Sequence, residues 1–311
     1  MRLNSPLARV SLLLLVAAIL TSACTRSTPT PTTTPAPSAA NQYPRPELLV
    51  ETQWLSEHLN DAGLRIIDVR SDLRYKEGHI PGAVNLNPAE LDTNQPVRGM
   101  VGPPQQVADI LGRAGISDDS QVIIYDDHLG LWGARLFWVL EYYGHRKVSL
   151  LSGNFPKWQA EGHPLNQEEV KVSPTTFTPR PQPSALATKE YILENAIALS
   201  LVLIDVRTSP EYNGEERHSA RGGHVPGAIN LPWEFTLTPT EIPEFLPLNA
   251  LEGLYFGLAP DKDQEIIVYC QTGVRAAHTY FVLRLMGYNK VRLYNGSWEE
   301  WGNDESLPAE L

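Results

Sequence analysis

The 311-residue chain has only two cysteines, Cys24 and Cys270. Cys24 falls in an N-terminal targeting segment, which leaves Cys270 without a partner for an intrachain structural disulfide. A lone thiol in the body is then either core filler or chemistry. Positive charge is also scarce: 25 Lys and Arg stand against 36 Asp and Glu, for a formal net charge of −11. Phosphate binding needs clustered cations, so this balance argues against a nucleic-acid partner. A membrane-spanning run is lacking at the N-terminus, where the apolar stretch Val10 to Leu20 is too short for a comfortable span. What remains, 42% hydrophobic and 20% charged, reads as globular and is long enough for two domains.

The first residues read as an export signal, with Arg2 and Arg9 supplying a basic region before the apolar stretch. Thr21-Ser22-Ala23-Cys24 follows and resembles a bacterial lipobox, with Thr21 where that pattern prefers an aliphatic residue. The resemblance implies lipidation of Cys24 and removal of the residues before it, so residues 1–24 are read as signal peptide and lipobox. Residues 25–46 are largely Thr, Pro, Ser and Ala. They cannot bury enough apolar surface to offset the entropy of ordering and are read as a disordered tether. The expected location is extracytoplasmic, lipid-anchored to a bacterial membrane, or secreted or periplasmic if the lipobox reading fails.

The body repeats itself. Ile66-Ile67-Asp68-Val69-Arg70 matches Leu203-Ile204-Asp205-Val206-Arg207, and Gly78-His79-Ile80-Pro81-Gly82-Ala83 matches Gly223-His224-Val225-Pro226-Gly227-Ala228. Val122-Ile123-Ile124-Tyr125 matches Ile266-Ile267-Val268-Tyr269, and Gly144 falls against Gly287. Each copy closes on an aromatic-rich turn, Gly153-Asn154-Phe155-Pro156-Lys157-Trp158 against Gly296-Ser297-Trp298-Glu299-Glu300-Trp301. Short apolar strands alternate with helical patterns such as 104–114 and 134–143, which predicts α/β domains built on parallel sheets flanked by helices. The boundaries drawn are 47–167 for a first domain, 168–184 for a polar, Pro-rich linker, and 185–305 for a second, catalytic domain.

Cys270 sits between the apolar run Ile266–Tyr269 and a helical pattern, in Cys270-Gln271-Thr272-Gly273-Val274-Arg275. A strand, tight loop and helix in that order put the thiol over backbone N–H groups at the positive end of a helix, which favours an anion and lowers a thiol pKa. In parallel sheets of this kind ligands sit beyond the carboxyl ends of the strands. The first copy has Tyr125-Asp126-Asp127-His128-Leu129-Gly130 there, one residue longer, with carboxylates in place of the thiol. Asp126, Asp127 and His128 could suggest a metal site, but three consecutive residues rarely converge on one ion, and neither metal nor cofactor is expected.

Together, the Asp-Val-Arg strand ends, the Gly-His-Ile/Val-Pro-Gly-Ala segments, the Cys loop and the closing Trp turns resemble a tandem rhodanese, a two-domain sulfurtransferase. The likeness covers about Leu48 to Gly302. It implies two rhodanese domains of which only the second is catalytic, with Cys270 carrying a sulfane sulfur as a persulfide between a small anionic donor and a thiol or cyanide acceptor. Substrate contacts are assigned to the loop residues Gln271, Thr272, Gly273, Val274 and Arg275, and to Arg207. The protein is expected to be a monomer. Cys-dependent phosphatases resemble Cys-x5-Arg, whereas here Arg275 follows Cys270 after four residues, a loop that suits sulfur better than phosphate.

As to the donor, the Cys-Gly-Ser-Gly-Val pattern of mercaptopyruvate sulfurtransferases is absent, as is the Arg-Lys pair of animal thiosulfate enzymes. Cys-Gln-Thr with a closing Arg looks more like bacterial thiosulfate sulfurtransferases. Glu211 stands near where tandem animal enzymes place a substrate-binding Arg, which weakens the alternative of 3-mercaptopyruvate. The other alternative is a non-catalytic rhodanese-like redox or protein-binding module. Arg70 and Arg207 recur in both copies and read more readily as partners of nearby carboxylates. His79 and His224 read as packing elements, Trp233 as a core aromatic, and His278 as too far along its helix to act as a base.

Overall fold

Central strands of parallel sheets are covered on both faces, and the sequence supplies them as short β-branched runs. The computed structural model describes residues 43–195 and 201–311, so Cys24 and nearly all of the proposed tether lie outside the described residues. The first half contains β1 (Leu49–Val50), β2 (Leu64–Asp68), β3 (Ala83–Asn85), a small ribbon of β4 (Asp92–Thr93) with β5 (Met100–Val101), then β6 (Gln121–Tyr125) and β7 (Val148–Leu151). The second contains β8 (Leu186–Ala187), β9 (Leu201–Asp205), β10 (Ile229–Asn230), β11 (Glu265–Tyr269) and β12 (Val291–Tyr294). Apart from the antiparallel β4–β5 ribbon, each half is a parallel sheet of the same topology, β1-β7-β6-β2-β3 and β8-β12-β11-β9-β10. Equivalent residues share register: Asp68 pairs with Tyr125 and Asp205 with Tyr269. The duplication read from sequence is therefore a duplication of fold.

Two equivalent helices, Leu131–Tyr142 and Val274–Leu285, leave the ends of β6 and β11 and pack against each other, joining the halves. Both are buried on nearly every side because each faces its own sheet and the other helix. At their contact the Phe137 and Phe281 rings meet edge to face at 4.9 Å, and Tyr280 donates to Glu141 Oε2 at 2.9 Å. One continuous hydrophobic core runs through this contact, with a smaller cluster on the far face of each sheet.

Two boundaries drawn from the sequence shift, and the linker between the halves packs on the first. The tether reading extended to residue 46, but Tyr43 is buried and donates to the Leu246 carbonyl at 2.8 Å, while the Arg45 N–H reaches Leu285 O at 3.2 Å. One large aromatic in a segment otherwise poor in apolar weight is enough to pin it. The linker is ordered along the first half: Phe177 is buried, and the N–H groups of Thr175 and Arg180 donate to Gly112 and Tyr143 carbonyls, each at 2.9 Å. The second half continues past residue 305, because His224 and Glu310 form an antiparallel bridge and Trp301 Nε1 donates to Pro308 O at 2.7 Å. Among the described residues no helix is long and apolar enough to cross a membrane.

Candidate active site

β11 delivers the chain to Cys270, and Gly273 starts the following helix with φ of +87°. A side chain at Gly273 would be strained there and would also press on Asn295 Nδ2 at 3.0 Å, so the tight entry into the helix requires glycine. Cys270 is 1% exposed, and its Sγ accepts the Gly273 N–H at 3.2 Å. The closing aromatic turn clamps the loop from behind. Ser297 Oγ accepts the Cys270 N–H at 3.2 Å, the Cys270 carbonyl accepts from Trp298 N at 3.0 Å, and the Gln271 carbonyl accepts from Glu299 N at 2.9 Å. In the first half Asn154 and Phe155 make the matching contacts to Asp126, at 3.2 and 3.0 Å. Ser297 and Asn154 both hold positive φ, +51° and +55°. Sequence reasoning had the recurrence of this turn but not its task. The signal was the small polar residue after Gly153 and Gly296, directly after each last strand.

The first half shows what the turn does with an acceptor. The Asp126 carboxylate receives four backbone N–H groups: His128 and Gly130 to Oδ1 at 2.9 and 2.8 Å, Trp132 and Gly133 to Oδ2, both at 3.0 Å. Burial pushes this carboxyl above the usual carboxylate range, and the Gly133, Gly130 and His128 amides pull against that rise. Since the two helices begin at equivalent points, Gly130, Trp132 and Gly133 correspond to Gly273, Arg275 and Ala276. The loop amides were expected to converge on the thiol itself. Of them, only the Gly273 N–H bonds Sγ. Two differences account for this: carboxylate oxygens lie one bond beyond the position a Cys Sγ occupies, and the first loop is one residue longer. The Asp126 oxygens therefore mark where an atom attached to Sγ would sit.

The expected cations are mostly occupied. Arg207, assigned to substrate, is 1% exposed and locked to Asp205 at 2.6 Å, with a second bond to the Gly223 carbonyl at 2.7 Å and its guanidinium 4.7 Å from the Trp298 ring centroid. Arg70 makes the same set with Asp68, the Gly78 carbonyl and Phe155. A guanidinium this deeply buried must be paired, so Arg207 serves the fold and is corrected out of the substrate contacts. Arg275 does line the cleft, but both its terminal nitrogens bind Glu211, at 2.6 and 2.8 Å. Burial tends to raise the Glu211 carboxyl, yet the hydrogen bonds and charge of Arg275 win and hold it at about 2. His79 and His224 stack on Tyr75 and Tyr212 at 3.8 and 3.6 Å and donate through Nδ1 to the same tyrosines' carbonyls. His278 is fully buried beside Trp233 and Phe245, where burial lowers its pKa to about 3; the neutral ring is a weak base and does not line the cleft.

Above the Cys270 loop lies a cleft of about 700 Å³ between the halves. Thr272, Val274, Arg275 and His218 line it from the second half, with Gln271, whose amide turns aside to Ser219 Oγ and Glu299 Oε2, both at 3.0 Å. The opposite wall belongs to the first half, where Asn94, Arg98 and Gly99 lie in the β4–β5 ribbon. Gly99 lies so close to Thr272 that a side chain there would meet the Thr272 carbonyl at 3.0 Å. Asn295 fixes the ribbon by donating to Gly99 O at 2.8 Å and accepting from Val101 N at 2.9 Å. This wall was not foreseen, because the ribbon lies outside every repeated motif.

A model of the rhodanese-like domain matches twice, over residues 51–161 and 188–304. The chain is 38% identical over 280 residues to a sulfur carrier protein of Thermus thermophilus, covering 86% of this chain and 97% of that one. It is 37% identical over 286 residues to a thiosulfate sulfurtransferase of Corynebacterium glutamicum, covering 88% and 93%. Among solved structures, SseA of Escherichia coli, described with the 3-mercaptopyruvate sulfotransferases, aligns with a TM-score of 0.73 at 30% identity over 81% of this chain and 98% of that one. The chain belongs to the rhodanese-like family, as a tandem of two such domains.

Proposed function

We propose that the protein is a thiosulfate sulfurtransferase whose second domain carries the transferred sulfur on Cys270. One observation carries the reading: the same turn is built twice, once around a carboxylate held by four amides and once around a thiol whose next bonded atom would enter the equivalent site. The Cys270 thiolate attacks the outer sulfur of thiosulfate. The bond from that sulfur to the sulfonate sulfur breaks, and sulfite leaves with the electron pair. The persulfide is held by the loop amides until a thiol or cyanide takes its outer sulfur and returns the thiolate. Sulfur transfer balances without an outside oxidant. The first domain cannot run this chemistry, since Asp126 has no sulfur to give.

Thiosulfate is favoured over 3-mercaptopyruvate by Cys270-Gln271-Thr272 in place of the Cys-Gly-Ser-Gly-Val loop, and the pairing of Arg275 with Glu211 takes from the loop the cation that could grip a carboxylate. Export and lipidation at Cys24 complete the proposal, supported by the basic, apolar and small-residue order of Arg2 to Cys24. The tether then holds the domains at a membrane surface.

Incubated with thiosulfate and desalted, the protein should gain one sulfur atom by intact mass, and Cys270→Ser should gain none; a wild type that takes no sulfur from any sulfane donor would contradict the reading. Glu211→Gln frees the Arg275 charge, and its KM for 3-mercaptopyruvate should fall about tenfold relative to that for thiosulfate, the effect of about 1.4 kcal/mol. The same variant has a pH signature. Glu211 titrates at about 2 instead of its ordinary 4.5, so its ion pair stabilises the fold fully above pH 4.5 and is lost as pH falls toward 2. The stability gap between wild type and Glu211→Gln in denaturant titrations should therefore close across that window; a constant gap would show that the pair is not the source. Fractionation of an expressing bacterium should place the wild type in membranes and Cys24→Ser in the soluble fraction, with fatty-acid label only on the former. A soluble, unlabelled wild type would rule the anchor out.

A further inference from the structure

The two interdomain helices are equivalent from their first residues, so Arg135 on one corresponds to His278 on the other. Both side chains are fully buried, and each reaches the loop of the opposite half. The His278 ring lies 3.9 Å from where a side chain on Gly130 would begin, next to the turn that holds Asp126. Arg135 Nη1 lies 3.3 Å from the equivalent point on Gly273, next to the turn that holds Cys270. The half with the carboxylate thus receives a neutral imidazole, and the half with the thiol receives a cation.

Arg135 is not consumed by structure alone. Its Nη2 donates to Asp92 Oδ1 at 2.5 Å, to the Gly99 carbonyl at 2.8 Å and to Asn295 Oδ1 at 3.5 Å, but its Nε and Nη1 are buried without any hydrogen-bond partner. The other charges around the loop are ion-paired as Arg135 is with Asp92, but among them only Arg135 leaves buried donors open. Arg275 is bidentate with Glu211 and Arg207 is locked to Asp205; Arg98 faces Glu299, while His218 lies against Glu216 and Glu211. A buried guanidinium with two open donors is costly, and the equivalent position shows that the helix contact can be built without one.

We propose that Arg135 is a positioning residue for sulfur transfer, through which the first domain holds a fixed positive charge against the Gly273 end of the Cys270 loop and stabilises the thiolate and its persulfide. In a buried, weakly screened setting a nearby cation favours the anionic form of a thiol. The same side chain ties the first-half wall of the cleft to the loop through Gly99, so cleft and nucleophile are set together. The inference rests on the sulfurtransferase reading for its turnover arm. The pH midpoint of Cys270 alkylation, unlike its rate in this buried setting, follows the thiolate and needs no sulfur donor, so failure of either can be told apart.

The test follows iodoacetamide labelling of the Cys270 peptide against pH in the full chain, by mass spectrometry. Arg135→Met should move the midpoint up by about one pH unit and lower kcat/KM for thiosulfate about tenfold, since one unit is a tenfold change in thiolate below the midpoint. Arg135→Lys should recover most of both. Asp92→Asn removes the carboxylate that shares the Arg135 charge and should move the midpoint down. A folded Arg135→Met with the wild-type midpoint overturns the proposal, even if turnover drops, because that pattern belongs to a purely structural residue. If Arg135→Met does not fold, Asp92→Asn decides: a downward shift supports the proposal, and no shift or an upward one overturns it.

Discussion

A strand that ends in a tight turn and feeds a helix leaves N–H groups with no partner inside the helix, and something must accept them. In this protein that requirement is met twice at equivalent strand-to-helix turns, the first one residue longer than the second. Asp126 meets it fully in the first half, with four amides on one carboxylate. Cys270 meets it in part, through one bond from Gly273. The shortfall is the chemically useful feature. Equivalent amides of Arg275 and Ala276 remain for an atom carried on the thiol, and a persulfide supplies one with negative charge where the helix end favours it. The closing turns exist in this light as clamps, since Ser297 and Asn154 accept a positive φ to hold each loop against its strand.

Around this turn the charges are arranged so that few are free. The Asp205–Arg207 and Asp68–Arg70 pairs are buried parts of the scaffold, repeated in both halves with the same carbonyl and aromatic partners. Glu211 takes both ends of Arg275, which converts the loop arginine from an open anion contact into one wall of the cleft. Removing either partner of such a buried pair would leave an uncompensated charge, so these arginines are more strongly committed to the fold than their closeness to the thiol implies. What attracts an anion here is mainly backbone, supplemented by a cation that reaches across from the other domain.

Much of this was legible in the sequence because duplication makes its own alignment. Asp-Val-Arg, Gly-His-x-Pro-Gly-Ala and the Cys and Asp loops fall at equivalent places in two sheets of identical strand order. The lone thiol and the carboxylate in its place were readable as reactive and unreactive versions of one turn. Side-chain partners were not. Nothing in residue order tells whether Arg207 faces substrate or Asp205, or that Glu211, 64 positions before Arg275, closes on it. The first-half wall of the cleft escaped too, because the β4–β5 ribbon is an unrepeated insertion and its contact with Thr272 depends on how the two sheets meet. Tyr43 was read as tether for the same reason: a single aromatic in a Pro and Thr-rich segment has no periodicity to betray that it is buried.

The central claim is that the Asp126 oxygens map the site of the transferred sulfur. A crystal structure of the protein after reaction with thiosulfate, with the two halves superposed, tests it most directly. The outer sulfur on Cys270 should fall on the position of the Asp126 carboxylate oxygens, within hydrogen-bond reach of the Gly273, Arg275 and Ala276 amides. An outer sulfur turned away from those amides into the open cleft would contradict the account.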